Sequence, residues 1–291
     1  MDLRVLNYFL TVAREKTISK AAEVLHISQP ALSKQLKDLE EELGVTLFIR
    51  GNRFITLTED GIYLKKRSEE ILSLVSQTEA NLKANEILGG TLSIGGGETI
   101  VFKYITEVVE EIITEYPDIM IHFFSGNSDD ILEKIDSGLL DFGLVIDPVE
   151  KEKYDFIQLP QSDTWGILVN TNHPLASYSG VTAKDLCETP LFNSSQSLTN
   201  NQLSNWLGKN SSSLNIIGHY NLLYNASLLS SIGNTAILCI DGIINTNGTN
   251  LTFVELSPKL TSHVNIVWKK DTSFSNISKL FLEKMKFKLN K

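Results

Sequence analysis

A cluster of hydrogen-bonding side chains stands near the start of the chain, in the segment SQPALSKQLK. It carries hydroxyls at Ser28 and Ser33, an amide at Gln29, and ammonium groups at Lys34 and Lys37. A glutamine amide can bind the edge of an adenine bidentately, while hydroxyl and ammonium groups can bind bases or phosphates. This set of side chains therefore predicts contact with a nucleic acid.

Hydrophobic residues at helical spacing predict three short helices that would position these groups. The first ends near Thr17, and the second is expected over Lys20–Leu25 with Ser19 as its N-cap. Ser28 is the expected N-cap of the third helix, whose first turn would hold Gln29 and Pro30. Proline is tolerated there because first-turn amides lack intrahelical acceptors. Two helices joined by a three-residue turn, the second presenting the polar groups, predict a helix-turn-helix.

A hairpin is expected after the third helix, because the segment FIRGNRFITLT alternates around Gly51-Asn52. Such a wing would place Arg50 and Arg53 beside the phosphate backbone or the minor groove. The alternative is a small helical bundle with a solvated polar face. Periodicity alone does not decide between this bundle and a winged helix-turn-helix.

The charge of the chain is unevenly distributed. Its formal net charge is -9, which by itself argues against a polyanionic partner. Residues 1–67, however, hold 11 Lys or Arg against 9 Asp or Glu, and the remainder holds 15 against 26. Since DNA binding needs a local basic face rather than a basic whole, the front segment is compatible with DNA.

The front segment resembles the winged helix-turn-helix domain of the LysR-type transcriptional regulators, in order and without gaps. The resemblance covers about 60 residues and implies that Ser28-Gln29-Pro30 begins a recognition helix. Thr17-Ile18 stands where many relatives have Ser-Phe, and Lys34 stands where Arg is frequent. The matching features are Phe9, Ala21-Ala22, Leu25, Ser28 to Ser33, Leu39-Glu40, Leu43-Gly44, Leu47-Phe48, Arg50, Leu57-Thr58 and Gly61.

The resemblance implies three partners: double-stranded DNA, a second copy of the chain in a homodimer or homotetramer, and a small-molecule effector. No membrane partner is expected, because no apolar run approaches the roughly 18 residues of a membrane span. The expected DNA contacts are Thr17, Ser19, Ser28, Gln29, Pro30, Ser33, Lys34, Lys37, Arg50 and Arg53.

A long helix is expected between Glu59 and Leu88, since the segment has no proline and its one glycine, Gly61, lies in the first turn. An apolar seam with polar breaks runs along it. The resemblance implies that this linker helix pairs antiparallel with a second subunit, whereas the alternative is packing on its own chain. Gly89-Gly90 would end the helix and provide a hinge. The seam consists of Leu64, Ser68, Ile71, Val75, Thr78 and Leu82.

Strand and helix patterns alternate in the remaining two-thirds of the chain, which predicts a parallel sheet with crossover helices. The segments TLSIGG, IMIHFFSG and LDFGLVI read as strands separated by two helices. A second unit opens after Pro160 with WGILVN and continues with PLFNSS and AILCI. The segment SHVNIVWKK then leads back to the first unit, and a helix is expected over Asn276–Leu289.

A ligand site is expected in this part of the chain, because ligands of open α/β sheets bind beyond the carboxyl ends of strands. The alternative is that the Ser and Thr residues there only cap helices. The region resembles the LysR effector domain, which is similar to type 2 periplasmic binding proteins and binds inducers between two subdomains. The expected ligand contacts are Gly97, Thr99, Ser125, Ser128, Ser194 and Ser195, of which Thr99, Ser128 and Ser194-Ser195 match the family's contact positions.

The charge of the effector stays open at this point. Many effectors of the family are small carboxylates, yet the expected cleft loops contain Glu98 and Asp129 and no arginine, and Lys103 is the nearest cation. A neutral or amine-bearing ligand is one alternative, and an anion held only by amides and hydroxyls is another.

Other functions find little support. The chain has no nucleophile elbow, phosphate loop or dinucleotide motif, and its five histidines are scattered, so neither an enzyme nor a metal site is expected. Cys187 and Cys239 have no metal-ligand spacing and are expected to be core thiols in a reducing cytoplasm. A transporter's solute-binding protein would suit the second part alone, and a regulator with a vestigial cleft also remains possible.

The sequence thus predicts an α/β protein with an N-terminal winged helix-turn-helix, a linker helix and a type 2 periplasmic-binding-protein-like effector domain of two α/β subdomains. We expect a sequence-specific transcriptional regulator without a cofactor. The expected boundaries are residues 1–58 for the DNA-binding domain, 59–88 for the linker and dimerisation helix, and 91–291 for the effector domain, with subdomain I at about 91–160 and 266–291 and subdomain II at about 161–265.

Overall fold

The structure, a computed structural model, describes residues 1–51, 54–83, 90–147, 152–195, 203–208 and 213–290, without the side chains of Arg50 and Lys83. The chain divides into two compact units, Met1–Leu82 and Lys83–Lys291.

Three helices, a two-stranded hairpin and a long helix form the first unit. Phe9, Leu32 and Leu39 are fully buried at its centre, so the third helix packs one face against the core. The elements are α1 (Leu3–Glu15), α2 (Ile18–Val24), α3 (Gln29–Leu43), β1 (Phe48–Arg50), β2 (Ile55–Leu57) and α4 (Glu59–Lys83).

The N-cap of α2 differs from the expectation. Thr17, not Ser19, has the extended backbone of a cap, and its Oγ1 accepts a hydrogen bond from the Lys20 amide at 3.3 Å. Ser19 therefore lies inside the first turn, where it is exposed. The cap of α3 is Ser28 as expected, since its Oγ accepts from the Ala31 amide at 3.4 Å.

The hairpin is confirmed, because β1 and β2 pair antiparallel with Arg50 opposite Ile55. The Gly51 amide donates to the Phe54 carbonyl at 3.0 Å and closes the loop. The Ile55 amide donates to the Lys16 carbonyl at 2.8 Å, which ties the hairpin to the end of α1. The tip residues Asn52 and Arg53 lie outside the described residues.

The half-buried carboxylate of Glu40 fixes the chain between α3 and the hairpin. Its Oε1 accepts hydrogen bonds from the amides of Leu47 and Phe48, at 2.7 and 3.3 Å. The first turn of α4 packs closely against the same segment, because a Cβ at Gly61 would lie only 2.2 Å from the Leu47 carbonyl oxygen. Helix, hairpin and linker helix thus meet around residues 47 and 48.

The seam of α4 divides into two halves. Leu64 is buried in the core of the first unit, and Ile71 packs against that core partly buried, so this half packs on its own chain. Thr78 and Leu82 are exposed further along. Pairing of this second half with another subunit stays a prediction, and residues 84–89, including Gly89, lie outside the described residues.

The described part of the second unit contains nine strands, β3 to β11, and five helices, α5 to α9, beside a short helical segment over residues 203–207. The strands are Gly90–Gly96, Ile119–Ser125, Phe142–Ile146, Tyr154–Asn170, Leu191–Ser194, Ile216–Tyr220, Ala236–Ile240, Leu251–Glu255 and Thr261–Lys269. The helices are Lys103–Glu115, Ser128–Asp136, Ala183–Cys187, Leu223–Ile232 and Asn276–Leu289, and 3-10 turns cover Ile100–Phe102 and Pro174–Ser177.

Two long strands, β6 and β11, belong to both halves of the sheet. The strand order is β4-β3-β5-β11-β6-β9-β7-β8, and β10 pairs with the far end of β6. The expected parallel pairing is right for β3 with β4 and β5, and for β7 with β9. It is wrong for β6 and β11, which pair antiparallel because a chain that enters and leaves the second half once needs two opposed strands. The sequence did not predict β8, which pairs parallel with β7, or β10, which pairs antiparallel with β6.

The ladder between β6 and β11 is interrupted at one point. Its register shifts between His263 and Asn265, opposite Leu159-Pro160 of β6. Proline has no amide to donate to a ladder, so a bulge accommodates Pro160 inside a strand that otherwise continues for 17 residues.

Each half of the second unit has its own core. In the first, Phe142 packs between the rings of Phe274 and Phe281, at centroid distances of 5.2 and 4.9 Å. In the second, Cys239 is buried on β9, and burial together with the nearby Asp241 carboxylate raises the pKa of its thiol well above the usual range. Within the described ranges, no helix is both long and apolar enough to cross a membrane.

We expect Glu40→Ala to lower the free energy of unfolding of the first unit by about 1.5 to 3 kcal/mol, because two buried amides lose a charged acceptor. Urea unfolding followed by circular dichroism measures the change. The control is Glu41→Ala, which removes only an exposed pair with Lys37 and should stay within about 0.5 kcal/mol of the wild type. Equal effects of the two substitutions would contradict the role of Glu40.

Candidate functional site

The exposed face at the start of α3 carries the first candidate site. Gln29 and Pro30 occupy its first turn and are exposed. The Gln29 Nε2 donates to the Oγ of Ser33 at 3.2 Å, one helical turn away. This hydrogen bond restricts the amide to the outer face of the helix. The side-chain oxygen of Gln29 is an acceptor and can receive a hydrogen bond from a donor outside the protein.

Cationic groups surround this face. Lys34 is exposed, and Lys37 is exposed with its ammonium 3.1 Å from the Glu41 carboxylate. On α2, the Lys20 ammonium lies 3.1 Å from Glu15. Because the Lys37–Glu41 pair is exposed, it contributes little to stability, and Lys37 can exchange Glu41 for a phosphate at little cost.

The remaining expected DNA contacts lie around α2 and the hairpin. The Thr17 hydroxyl caps α2, whereas Ser19 is exposed. Arg50 has its backbone in β1, but its side chain and all of Arg53 lie outside the described residues. The DNA roles of all these residues stay predictions.

A narrow cavity in the second unit forms the second candidate site. Its volume is about 60 Å³, far below the roughly 300 Å³ at which pockets for small molecules begin. Gly97 and Ser194, both expected ligand contacts, line it. The cleft is therefore closed to all but a small chemical group in this structure.

Glu98 closes this cavity from one side. Its Oε2 accepts a hydrogen bond from the amide of Leu223, the first residue of α8. The N-cap residue Leu222 offers no side-chain acceptor, so Glu98 caps the helix from a position 125 residues away. A carboxylate at a helix N-terminus is stabilised by the helix dipole.

Two aromatic rings line the same cavity, those of Trp165 and Tyr220. The Trp165 Nε1 donates to Ser262 Oγ at 2.9 Å, and the Tyr220 hydroxyl donates to the Leu238 carbonyl at 2.6 Å. Burial, and then the neighbouring Cys239 and Glu98, raise the pKa of Tyr220. Both polar ends are thus engaged within the protein, which leaves the apolar parts of the rings for the cavity.

A buried carboxylate is hydrogen-bonded to Thr99, the residue that follows Glu98. Asp163, on β6, accepts a hydrogen bond from the Thr99 hydroxyl at 2.7 Å, while its Oδ2 has no partner among the described residues. Its side chain is only 2% exposed. Burial, and then the charge of Asp241, raise the pKa of Asp163 to about 6 although the Thr99 hydrogen bond opposes the shift.

Four of the expected ligand contacts do not line the cavity. Thr99 caps the 3-10 turn and bonds to Asp163, and Ser128 is buried in the first turn of α6, whose cap is Asn127. Ser125 and Ser195 are exposed. Ligand contact by these four residues stays a prediction, and testing it requires the cleft to be open.

Most of the other residues that line the cavity were not identified from the sequence. Glu98 was recognised as a cleft residue, but Trp165, Tyr220 and Leu223 were not. The strand that ends at Tyr220 is only five residues long, and α8 begins without a capping residue. The one usable signal was Trp165, an aromatic residue in a strand where the chain enters its second half.

No metal centre is evident where the structure describes the chain, since no three His, Cys, Asp or Glu residues come together as ligands.

Two family models match the chain. Residues 3–62 match the model described as "Bacterial regulatory helix-turn-helix protein, lysR family". Residues 85–286, well over half of the chain, match the model described as "LysR substrate binding domain".

Curated proteins similar to the chain include transcriptional regulators. The chain is 32% identical to the HTH-type transcriptional regulator AlsR of Bacillus subtilis, over 66% of its own length and 64% of that protein. It is 34% identical to the Hca operon transcriptional activator HcaR of Escherichia coli, over 64% of its own length and 62% of that protein. The matches thus span less than two thirds of these relatives.

Solved structures extend the likeness to nearly the whole chain. The crystal structure of CbnR, a LysR family transcriptional regulator, superposes with a TM-score of 0.77 over 99% of both chains at 18% identity. CbnR in complex with its target DNA gives a TM-score of 0.76 at the same identity and coverage. At this identity the likeness is one of fold.

We expect Asp163→Asn to stabilise the protein at pH 7.5 by about 1 to 3 kcal/mol and to have little effect at pH 4. A raised pKa means that the neutral form stabilises the fold below pH 3.8 and that this stabilisation is lost as the pH rises through about 6. The variant stays neutral throughout. Urea unfolding of both proteins at the two pH values measures the difference.

The control for this experiment is Asp155→Asn, an exposed aspartate on the same strand. It should leave the pH dependence of unfolding unchanged. If Asp163→Asn destabilised the protein equally at both pH values, Asp163 would be an ionised hydrogen-bond acceptor for Thr99 rather than a carboxyl held near neutrality.

Proposed function

Because this chain belongs to the LysR family, we propose that it is a sequence-specific DNA-binding transcriptional regulator controlled by a small molecule. The observation that carries the proposal is the outer face of α3, where Gln29 is held by Ser33 beside Lys34 and Lys37. The helix dipole also leaves the N-terminus of α3 favourable for a phosphate.

In this proposal, α3 enters the major groove with its first turn. Gln29 reads a base edge, preferably an adenine, while Lys34 and Lys37 bind phosphates. The hairpin places Arg50 and Arg53 at the backbone or the minor groove. Thr17, Ser19, Ser28, Pro30 and Ser33 complete the contact surface near the groove.

The protein acts as a homo-oligomer in this proposal. The exposed second half of α4, with Leu82 64% exposed, supports pairing with a second copy. A dimer with two-fold symmetry would read two half-sites of a dyad.

The second unit is the sensor. A small molecule bound at the cleft would favour one arrangement of its two halves, and only a difference in affinity between arrangements can change DNA binding. We propose regulation without catalysis and without a cofactor, and a cytoplasmic location beside the DNA. A solute-binding protein for transport is the weaker candidate, because the front unit would then have no role.

We expect Gln29→Ala to relax base preference at one position of each half-site by about 1 to 3 kcal/mol, because a bidentate contact is lost. Lys37→Ala should instead weaken binding to all sequences alike and reduce the salt slope by about one. Quantitative binding to selected and scrambled duplexes over a range of salt concentrations separates the two effects.

The control is Lys65→Ala, which removes an exposed cation from α4 at a distance along the chain from the reading helix. It should leave base preference unchanged. Loss of only non-specific affinity in both Gln29→Ala and Lys37→Ala would show that the recognition face lies elsewhere.

Selection of bound duplexes from a random library by the full chain tests the proposal as a whole. We expect enrichment of an inverted repeat with half-site centres about one helical turn or a multiple of it apart. A library that remains random after repeated selection would refute DNA reading, and a single short unsymmetrical site would refute the two-fold arrangement.

A further inference from the structure

We propose that the cleft of the second unit recognises a small organic cation, a molecule that carries a protonated amine, through the Glu98 carboxylate and the rings of Trp165 and Tyr220. The inference rests on the proposed function as an effector-controlled regulator and names the chemical class of the effector.

The first argument is the state of Glu98. One carboxylate oxygen accepts from the Leu223 amide, and no hydrogen bond to the other oxygen is found among the described residues. The side chain is therefore held in a fixed position at the cavity with an acceptor to spare. An ammonium group, which has three donors and no acceptor, is the complementary partner.

The second argument is that the anion-binding feature of the cleft is already occupied. The N-terminus of α8 would attract a ligand carboxylate through its free amide and its dipole. Glu98 takes this position, so an anionic ligand would have to displace it and then lie beside the released carboxylate. A cationic ligand leaves this contact intact.

The aromatic rings supply the third argument. The Trp165 Nε1–H and the Tyr220 hydroxyl both donate to acceptors within the protein. The two side chains therefore present ring surface, not hydrogen-bond donors, to the cavity. Ring surface attracts cations electrostatically, and more strongly where water is excluded. A carboxylate with aromatic neighbours is a typical environment for an organic cation.

The charges around the cavity agree with this assignment. Among the described residues that line it there is no Lys, Arg or His. Lys103, the nearest cation in the sequence, points its ammonium to the ring of Tyr104 at 5.6 Å.

A buried acidic group adds to the negative potential of the site. Asp163 lies two residues before Trp165 on β6, so both side chains project from the same face of the strand. Its Oδ2 is buried without a partner. A cation at the cavity would stabilise the ionised form of this group, whereas an anion would oppose it.

Matched probes test the charge preference without a known effector. The first pair is benzylammonium and phenylacetate and the second is butylammonium and pentanoate, so that each pair shares a hydrocarbon skeleton and differs in the sign of its head group. Binding to the full chain at pH 7.5 is measured by ligand-observed NMR or calorimetry. We expect each amine to bind at least tenfold more tightly than its acid partner.

Two variants locate the preference. Glu98→Gln keeps an acceptor for the Leu223 amide but removes the charge, and it should weaken the binding of the amines at least tenfold. Glu110→Gln, an exposed position on α5, is the matched control and should bind them as the wild type does.

Each outcome decides the question. Tighter binding of the acids, absence of amine binding up to millimolar concentrations, or amine binding that Glu98→Gln leaves unchanged would overturn the inference. The comparison within the wild type needs no variant, so a folding defect cannot obscure it. Duplex selection by the unliganded protein reports on DNA reading separately, so a cleft that rejects amines would leave the proposed function standing.

Discussion

The antiparallel pairing of β6 with β11 is the constraint on which the second unit depends. These two strands continue from one half of the sheet into the other, so the halves share a backbone ladder rather than only a side-chain interface. A relative movement of the halves must therefore twist or bend this pair, and the bulge opposite Pro160 is where its ladder is already interrupted. Because Asp163 and Trp165 lie on β6 just beyond that point, the same strand carries the interruption of the ladder and part of the cavity wall.

The hydrogen bond between Glu98 and the start of α8 is one interaction that keeps the cleft closed. The two groups belong to opposite halves of the sheet, and their hydrogen bond joins those halves. A ligand can change this balance only by the difference between its affinities for the closed and the open arrangement. With about 60 Å³ of free volume, the closed form has room for little more than a head group, so the rest of a larger molecule would bind only as the halves separate.

The sequence predicted elements well where one local signal dominates. Asn276–Leu289 was placed at its observed bounds because its hydrophobic residues follow a helical period, and Ser28 was identified as a cap because proline follows in the first turn. Thr17 and Ser19 are both good capping residues, and only the backbone conformation decides between them. Strand direction was harder, since the buried runs 165–169 of β6 and 264–268 of β11 look like those of the parallel strands β3 and β5. Cavity residues such as Tyr220 depend on which strand ends meet in space, and no local pattern encodes that meeting.

The buried thiol of Cys239 has a consequence for how the protein responds to oxidants and labelling reagents. Thiol chemistry proceeds through the thiolate, and burial keeps this sulfur protonated in the folded state. The side chain is 2% exposed on a central strand, so reagents reach it only when that strand separates from its neighbours. The rate at which Cys239 is modified therefore follows the opening of the second half of the sheet. This residue reports on sub-global unfolding and is not a redox sensor.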